Sequence, residues 1–384
     1  MAYNHAYDVA VIGAGVFGAW TALHLARRKQ RVLLIEAYRP AHSRASSGGE
    51  SRIIRMSYGG DEIYTRWSVN SLTQWKQLFA GTAEQLFHKT GVLWLTGEGS
   101  STVDQSAANL RRHNVKHQML QRCELESRYP QINFEQVSRG LLEPESGVLL
   151  ARRAVACAVE AALREKVELK VAQILTPRGA KKTDFIETTA GDRIRARDFV
   201  FACGPWLPGL FPEILGSRVF PTRQEVFFFA PPAGDPRFAA PALPTWLFQA
   251  DEVYGMPDIE SRGLKVACDR HGELITPDTQ SRLVSPAAAE WACGYVARRF
   301  PALKDAPIVE TRVCQYENTS NGDFLIDRHP EYSNVWFVGG GSGHGFKHGP
   351  AVGEHTADLL LANGVPERRF SLATKDTTRK RSIH

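Results

Sequence analysis

The stretch from Asp8 to Glu36 constrains this chain more than any other. Asp8-Val9-Ala10-Val11-Ile12 is an apolar run that breaks into Gly13-Ala14-Gly15-Val16-Phe17-Gly18; a helix-forming segment follows, and a second apolar run, Val32-Leu33-Leu34-Ile35, ends on Glu36. Strand, glycine turn, helix, strand and acid in this order read as a βαβ unit. Gly13 permits the tight turn after the strand, and Gly15 lets a pyrophosphate approach the backbone. From Val16 the helix presents free N–H groups and the positive end of its dipole to an anion. Gly18 lets the helix pack close to the sheet. Glu36 is placed to accept hydrogen bonds from both ribose hydroxyls, which favours a 2′-OH and disfavours a 2′-phosphate. Dinucleotide binding follows from this pattern; glycines kept for packing alone are the competing reading.

The chain has 384 residues, enough for two domains. It holds no apolar run of about 18 residues, so no transmembrane helix is expected. Met1 to Tyr7 lacks the features of a secretory signal, and a cytoplasmic location is expected. The net charge of +6 is dispersed, apart from Arg379-Lys380-Arg381, and reads as a solvated basic surface that would also suit an anionic substrate. Nucleic acid is not expected as a partner, because no basic block with interleaved aromatics is present. The six cysteines form no CxxC pair, which argues for free thiols and against zinc.

A second glycine turn lies near the C-terminus. Trp336-Phe337-Val338 runs into Gly339-Gly340-Gly341-Ser342-Gly343-His344-Gly345, and a helix over 351–361 follows. Between the two turns, 167–174 reads as a strand, 184–189 with 192–195 as a hairpin, and 199–206 as a buried strand. The region from Val219 is rich in β pattern, and the tail from Ser371 reads as polar and loose. One glycine turn holds one pyrophosphate; a second brings further backbone N–H groups near something else, such as a flavin ring. FAD is long enough to need both. The expected fold class is α/β with a β-rich second domain. Residues 1–85, 150–219 and 320–384 would form a discontinuous FAD-binding Rossmann domain, and 86–149 and 220–319 an inserted substrate domain with a mixed or antiparallel sheet.

In its paired glycine turns the chain resembles the glutathione-reductase-type FAD fold. Ser51-Arg52-Ile53-Ile54-Arg55, Gly263-Leu264-Lys265, Cys314-Gln315-Tyr316-Glu317-Asn318-Thr319 and Gly343-His344-Gly345-Phe346-Lys347 occur in that order. Together with the N-terminal turn they resemble the monomeric sarcosine oxidase and N-methyltryptophan oxidase family over nearly the whole length. The resemblance implies an FAD-dependent oxidase of a secondary amino acid, acting as a monomer and using O2.

The resemblance also implies roles. Cys314 matches the cysteine that carries the flavin through a thioether, a task that needs a thiolate; a core cysteine on a strand is the alternative. Lys265 matches the lysine over the flavin that favours reduction of oxygen. Alternation on a strand would put Lys265, Ala267 and Asp269 on one face. Arg55 and Lys347 match the pair that binds the substrate carboxylate, Arg52 a residue near the flavin ring, and Tyr254 a tyrosine of the substrate pocket. In a helical turn Arg52 and Arg55 would share a face; in a strand they would point opposite ways. Gly341, Gly343, His344, Gly345 and Lys347 would contact the cofactor. Two positions depart from the family. Asp269 stands where the active-site histidine falls, which puts sarcosine itself in doubt and suits a cationic or polyhydroxylated substituent. Glu317 replaces a less charged residue.

Other patterns carry less. His344 and His348 have HxxxH spacing but lack the HExxH glutamate, so no metal is expected. Three readings compete with the oxidase: a glycine or D-amino-acid oxidase-like enzyme or amine dehydrogenase, a flavin-containing RNA-modifying or RNA-binding protein, and a nucleotide-binding scaffold without catalysis.

Overall fold

A computed structural model describes residues 6–177 and 181–375; the basic run 379–381 lies outside these residues. The first sheet has seven strands. Along its main path they are Leu325–Arg328, Val335–Gly339, Arg193–Phe201, Tyr7–Ile12, Val32–Glu36 and Glu168–Val171, with Phe185–Glu187 branching off Arg193–Phe201. Tyr7–Ile12 pairs in parallel with Val32–Glu36 on one side and Arg193–Phe201 on the other. Parallel strands covered on both faces read as continuous apolar runs. Here Val9 and Val11 pack into one core with the helices Val16–Arg27 and Ala151–Arg164, while Ala10 and Ile12 pack into another on the opposite face.

The hairpin at 184–195 and the buried strand at 199–206 are less separate than the sequence implies. Arg193–Phe201 is one strand. Its first half alternates Arg193, Arg195 and Arg197 outward with Ile194 and Ala196 inward, and pairs antiparallel with Phe185–Glu187. Its last three residues, Phe199 to Phe201, are buried and lie in the parallel sheet. The change from alternating to continuous burial is what makes one strand look like two.

The second sheet has eight strands in the order Ile308–Thr319, Val219–Phe229, Leu264–Cys268, Val253–Met256, Thr245–Phe248, Val92–Thr96, Arg139–Glu143 and Gln118–Gln121. All its pairs are antiparallel except Thr245–Phe248 with Val92–Thr96. Phe227, Phe229, Leu264 and Val266 bury one face against the helix Pro286–Arg299. Phe228 and Ala267 lie on the other face with Tyr254 packed on them. A small third sheet, Arg52–Ile54, Gly147–Leu149 and Phe87–His88, joins segments of the chain that lie between the two large sheets in sequence.

The expectation of a loose tail from Ser371 fails over the described residues. Leu372–Thr374 forms a 3-10 turn and Lys375 is buried. Lys375 Nζ donates to Arg369 O at 2.8 Å and to Asn321 Oδ1 at 3.2 Å, and Leu372 packs against the core beside the parallel sheet, so the segment docks through satisfied hydrogen bonds and an apolar contact. Among the described residues no helix is long and apolar enough to cross a membrane.

Candidate active site

A cavity of about 710 Å3 opens where the parallel strands of the first sheet end and the strand Ile308–Thr319 passes over them. Ligands in open α/β sheets bind at such strand ends. Gly13, Gly15, Val16 and Glu36 line it from the first βαβ unit, and Gly341, Gly343 and Gly345 from the second glycine turn. Arg52 and Cys314 line it from the third and second sheets. Gly18, His344 and Lys347 do not line it.

The glycines divide by what they make room for. A Cβ on Gly18 would sit 1.8 Å from the Gly13 carbonyl oxygen, so helix and turn can approach only with glycine there. A Cβ on Gly15 would meet nothing nearer than Ser47 Oγ at 3.6 Å. The protein's own packing does not require glycine at 15; a ligand lying on the backbone would.

Glu36 closes the end of the second strand. Its Oε2 accepts from Ala14 N at 2.8 Å and its Oε1 lies 3.4 Å from His42 Nε2. Burial disfavours the charge, but the hydrogen bonds from His42, Ala14 and Tyr38 outweigh it and hold the carboxyl below the ordinary glutamate range. It is an ionised acceptor at the cavity wall.

Arg52–Ile54 is a strand, which settles the direction of the two arginines. Arg52 faces the cavity, where Nη2 donates to Cys314 Sγ at 3.2 Å and Nη1 to Ser51 O at 2.8 Å. Arg55 lies on the other side, buried, with its guanidinium 4.2 Å from the Tyr58 ring centre and 4.6 Å from that of Trp94. Lys347 reaches the same tyrosine from the second glycine turn: Nζ donates to Tyr58 Oη at 2.8 Å and to His344 O at 2.9 Å. The structure thus brings Arg55 and Lys347 together around Tyr58. His348 Nε2 lies 2.8 Å from the same hydroxyl. Burial, then the charges of Lys347 and Arg55, push this imidazole far down, so it stays neutral.

Lys265 is buried on the Leu264–Cys268 strand, on the face shared with Ala267. Its Nζ donates to Ser51 O at 3.0 Å and to Ser51 Oγ at 3.2 Å, and lies 5.8 Å from the Tyr254 ring centre. Burial, then the Arg52 charge, push its ammonium down to about 7. Tyr254 is pushed up to about 12 by burial. Tyr316 lies beside Tyr254, lines the cavity, and donates to Asp269 Oδ1 at 2.9 Å.

His344 turns its ring away from the cavity, edge-on to Tyr64 and stacked on Phe324, with Nε2 3.1 Å from Gly322 O. Ser51 and Tyr58 were not singled out from the sequence. Each acts through a residue far along the chain, and nothing in its local pattern announces that.

A model of the family described as FAD dependent oxidoreductase matches residues 8–359. The peroxisomal sarcosine oxidase of Homo sapiens is 32% identical over 372 residues, covering 92% of each chain. The monomeric sarcosine oxidase of Streptomyces avermitilis is 32% identical over 361 residues, covering 92% of this chain and 94% of that one. The fold is similar to that of L-proline dehydrogenase from P. horikoshii, with a TM-score of 0.83, 20% identity, and 98% and 100% of the two chains covered. The residues around the cavity fit FAD: an ionised carboxylate for a ribose, glycine backbone open to a pyrophosphate, and a thiol with a guanidinium at the far wall.

Proposed function

The chain belongs to the FAD-dependent oxidoreductase family, and on that premise we propose that it oxidises the carbon–nitrogen bond of a secondary amino acid with O2 as electron acceptor. The observation that carries this reading is the convergence of two buried cations, Arg55 and Lys347, on Tyr58. Guanidinium and ammonium groups held in a low-dielectric site bind a carboxylate strongly, the first through two parallel hydrogen bonds and the second as a point charge.

In this reading Gly15 and the start of the helix Val16–Arg27 hold the pyrophosphate, and Glu36 the ribose. Cys314 is the point of covalent attachment, with Arg52 fixing the sulfur. When bound, FAD accepts the two electrons released as the amine becomes an imine and passes them to O2, giving H2O2; water then hydrolyses the imine. Arg55 and Lys347 orient the amino acid by its carboxylate. Tyr254 and Tyr316 close the pocket around the reacting carbon and exclude water. Lys265, in its charged form, stabilises negative charge as it develops on oxygen. Asp269, held by Tyr316, repels a second carboxylate on the substrate and accepts hydrogen bonds from a cationic or polyhydroxylated substituent.

The test is a peroxide assay with a panel of N-methyl amino acids and the matching amines that lack the carboxylate. Peroxide from the acids alone supports the reading. Equal turnover of the decarboxylated amines overturns the roles of Arg55 and Lys347. Bleaching of the visible flavin bands by the acids without peroxide in air assigns another electron acceptor.

A further inference from the structure

One buried acid at the cavity has no role in the reading above. Glu317 lies on the strand Ile308–Thr319, three residues beyond Cys314; it is 6% exposed and lines the cavity. Its backbone carbonyl accepts from Ser342 N at 2.9 Å, which ties this strand to the second glycine turn. Its side chain lies against the same turn. Oε1 fills the space a Cβ on Gly339 would need, 2.4 Å away, and the amides of Gly340 and Gly341 face the carboxyl. Oε1 has no hydrogen-bond partner among the described residues.

The surroundings decide its charge. Leu207 touches the same glycine, and Pro221 stands opposite Glu317 on the neighbouring strand. The Cys203 thiol, itself pushed far up by burial, senses the charge of Glu317 as it does that of Glu36. Among the described residues no cation contributes to the state of this carboxyl. A carboxylate buried without a counter-ion is costly, and two backbone amides offset that only in part. Burial pushes the group up to about 8. A carboxyl that keeps its proton donates a hydrogen bond as well as accepting one.

Position names the ligand chemistry. Cys203 lies near both Glu36, at the ribose end, and Glu317, whose charges it senses, and all three line the cavity. Here the two glycine turns meet, Gly345 and Gly341 standing against Phe17. A cofactor stretched from Glu36 to Cys314 passes this point with its ribityl hydroxyls and pyrophosphate. Those oxygens accept from a carboxylic acid, whereas the pyrophosphate repels a carboxylate.

We propose that Glu317 is a cofactor-binding residue that holds the ribityl–pyrophosphate stretch of FAD as a neutral acid, donating one hydrogen bond to it, so that loss of its proton loosens the cofactor. The proposal rests on the FAD assignment and on no particular substrate.

The experiment uses Cys314→Ala protein, in which FAD is free to exchange, with Glu317 intact or as Glu317→Gln. FAD is titrated by fluorescence quenching at about pH 6.5 and about pH 9.5. With Glu317 the Kd is expected to rise roughly tenfold or more between the two. Glu317→Gln, whose amide still donates, keeps the affinity seen at low pH and loses the dependence. Equal pH dependence in the two proteins overturns the proposal. A second readout uses the wild-type holoenzyme: an infrared carboxylic-acid carbonyl band that titrates away over the same range and is missing from Glu317→Gln. A band unchanged in that variant overturns it equally. Absence of FAD from wild type and from both variants at either pH would overturn the cofactor assignment, and this proposal with it.

Discussion

Arg52 Nη2 donates to Cys314 Sγ at 3.2 Å across 262 positions of sequence. The contact joins the small third sheet to the second sheet at the wall of the cavity. It holds the sulfur at the cavity wall, where the proposed thioether to the flavin would form. Acid precipitation of the wild-type protein is therefore expected to give a yellow pellet that keeps both visible flavin bands. Cys314→Ala should give a colourless pellet and a yellow supernatant. A yellow pellet from Cys314→Ala would place the attachment elsewhere.

In the proposed reading Arg55 and Lys347 bind the carboxylate in the ground state and in the transition state alike, so their loss should appear chiefly in KM. Removing one member of a buried charge contact costs about 2–5 kcal/mol. Lys347→Met is expected to raise KM for an N-methyl amino acid by roughly 30-fold or more, about 1.4 kcal/mol corresponding to each tenfold, with a smaller change in kcat. Turnover of an amine without a carboxylate should not respond. The check is steady-state kinetics with the two substrates side by side. An equal fall in kcat for both would assign Lys347 to the chemical step instead.

What was legible in the sequence depended on how local the cause was. The N-terminal βαβ unit is announced by glycine spacing and a terminal acid within one short stretch, and the sheet forms there as read. The face of Arg52 relative to Arg55 was not legible. It is set by a three-residue strand whose partner, Gly147–Leu149, is nearly a hundred positions away. Ser51 is visible only once Lys265 folds over it, and Tyr58 only once Arg55 and Lys347 close on it. Arg193–Phe201 misled for a physical reason: one strand crosses from a half-exposed hairpin into a buried sheet, and its pattern changes midway.

Gly15 and Gly18 separate ligand from packing within a single turn. Gly18→Ala forces a methyl to within 1.8 Å of the Gly13 carbonyl, and helix and strand must part. Overpacking of this kind costs about 1–3 kcal/mol or more. Gly15→Ala meets no protein atom nearer than 3.6 Å. Thermal denaturation of FAD-free protein should show a lowered Tm for Gly18→Ala and little change for Gly15→Ala. FAD binding should reverse the ranking, since in the proposed reading the Gly15→Ala methyl occupies the line of the pyrophosphate. A large loss of Tm for FAD-free Gly15→Ala would mean that packing, not a ligand, requires that glycine.

In the proposed reading Lys265 ties catalysis to pH through its burial. The ammonium is pushed down from 10.5 to about 7, so between those values the unfolded chain binds a proton that the folded chain does not. Stability rises with pH wherever the unfolded state holds more protons. Charging the buried amine therefore costs the folded protein most below about pH 7, and the cost is relieved as the pH climbs toward 10.5. Glu317 acts in the opposite direction, between 4.5 and about 8, so the wild-type profile alone would mix the two. The difference between wild type and Lys265→Met isolates the lysine. Denaturant unfolding across this range should show the methionine variant more stable below about pH 7, with the gap narrowing steadily above it. The same variant should keep substrate-dependent bleaching of the flavin while losing roughly 100-fold or more in peroxide formation, the scale seen when one group that stabilises developing charge is removed. A stability gap independent of pH would mean that Lys265 is charged in the folded protein throughout.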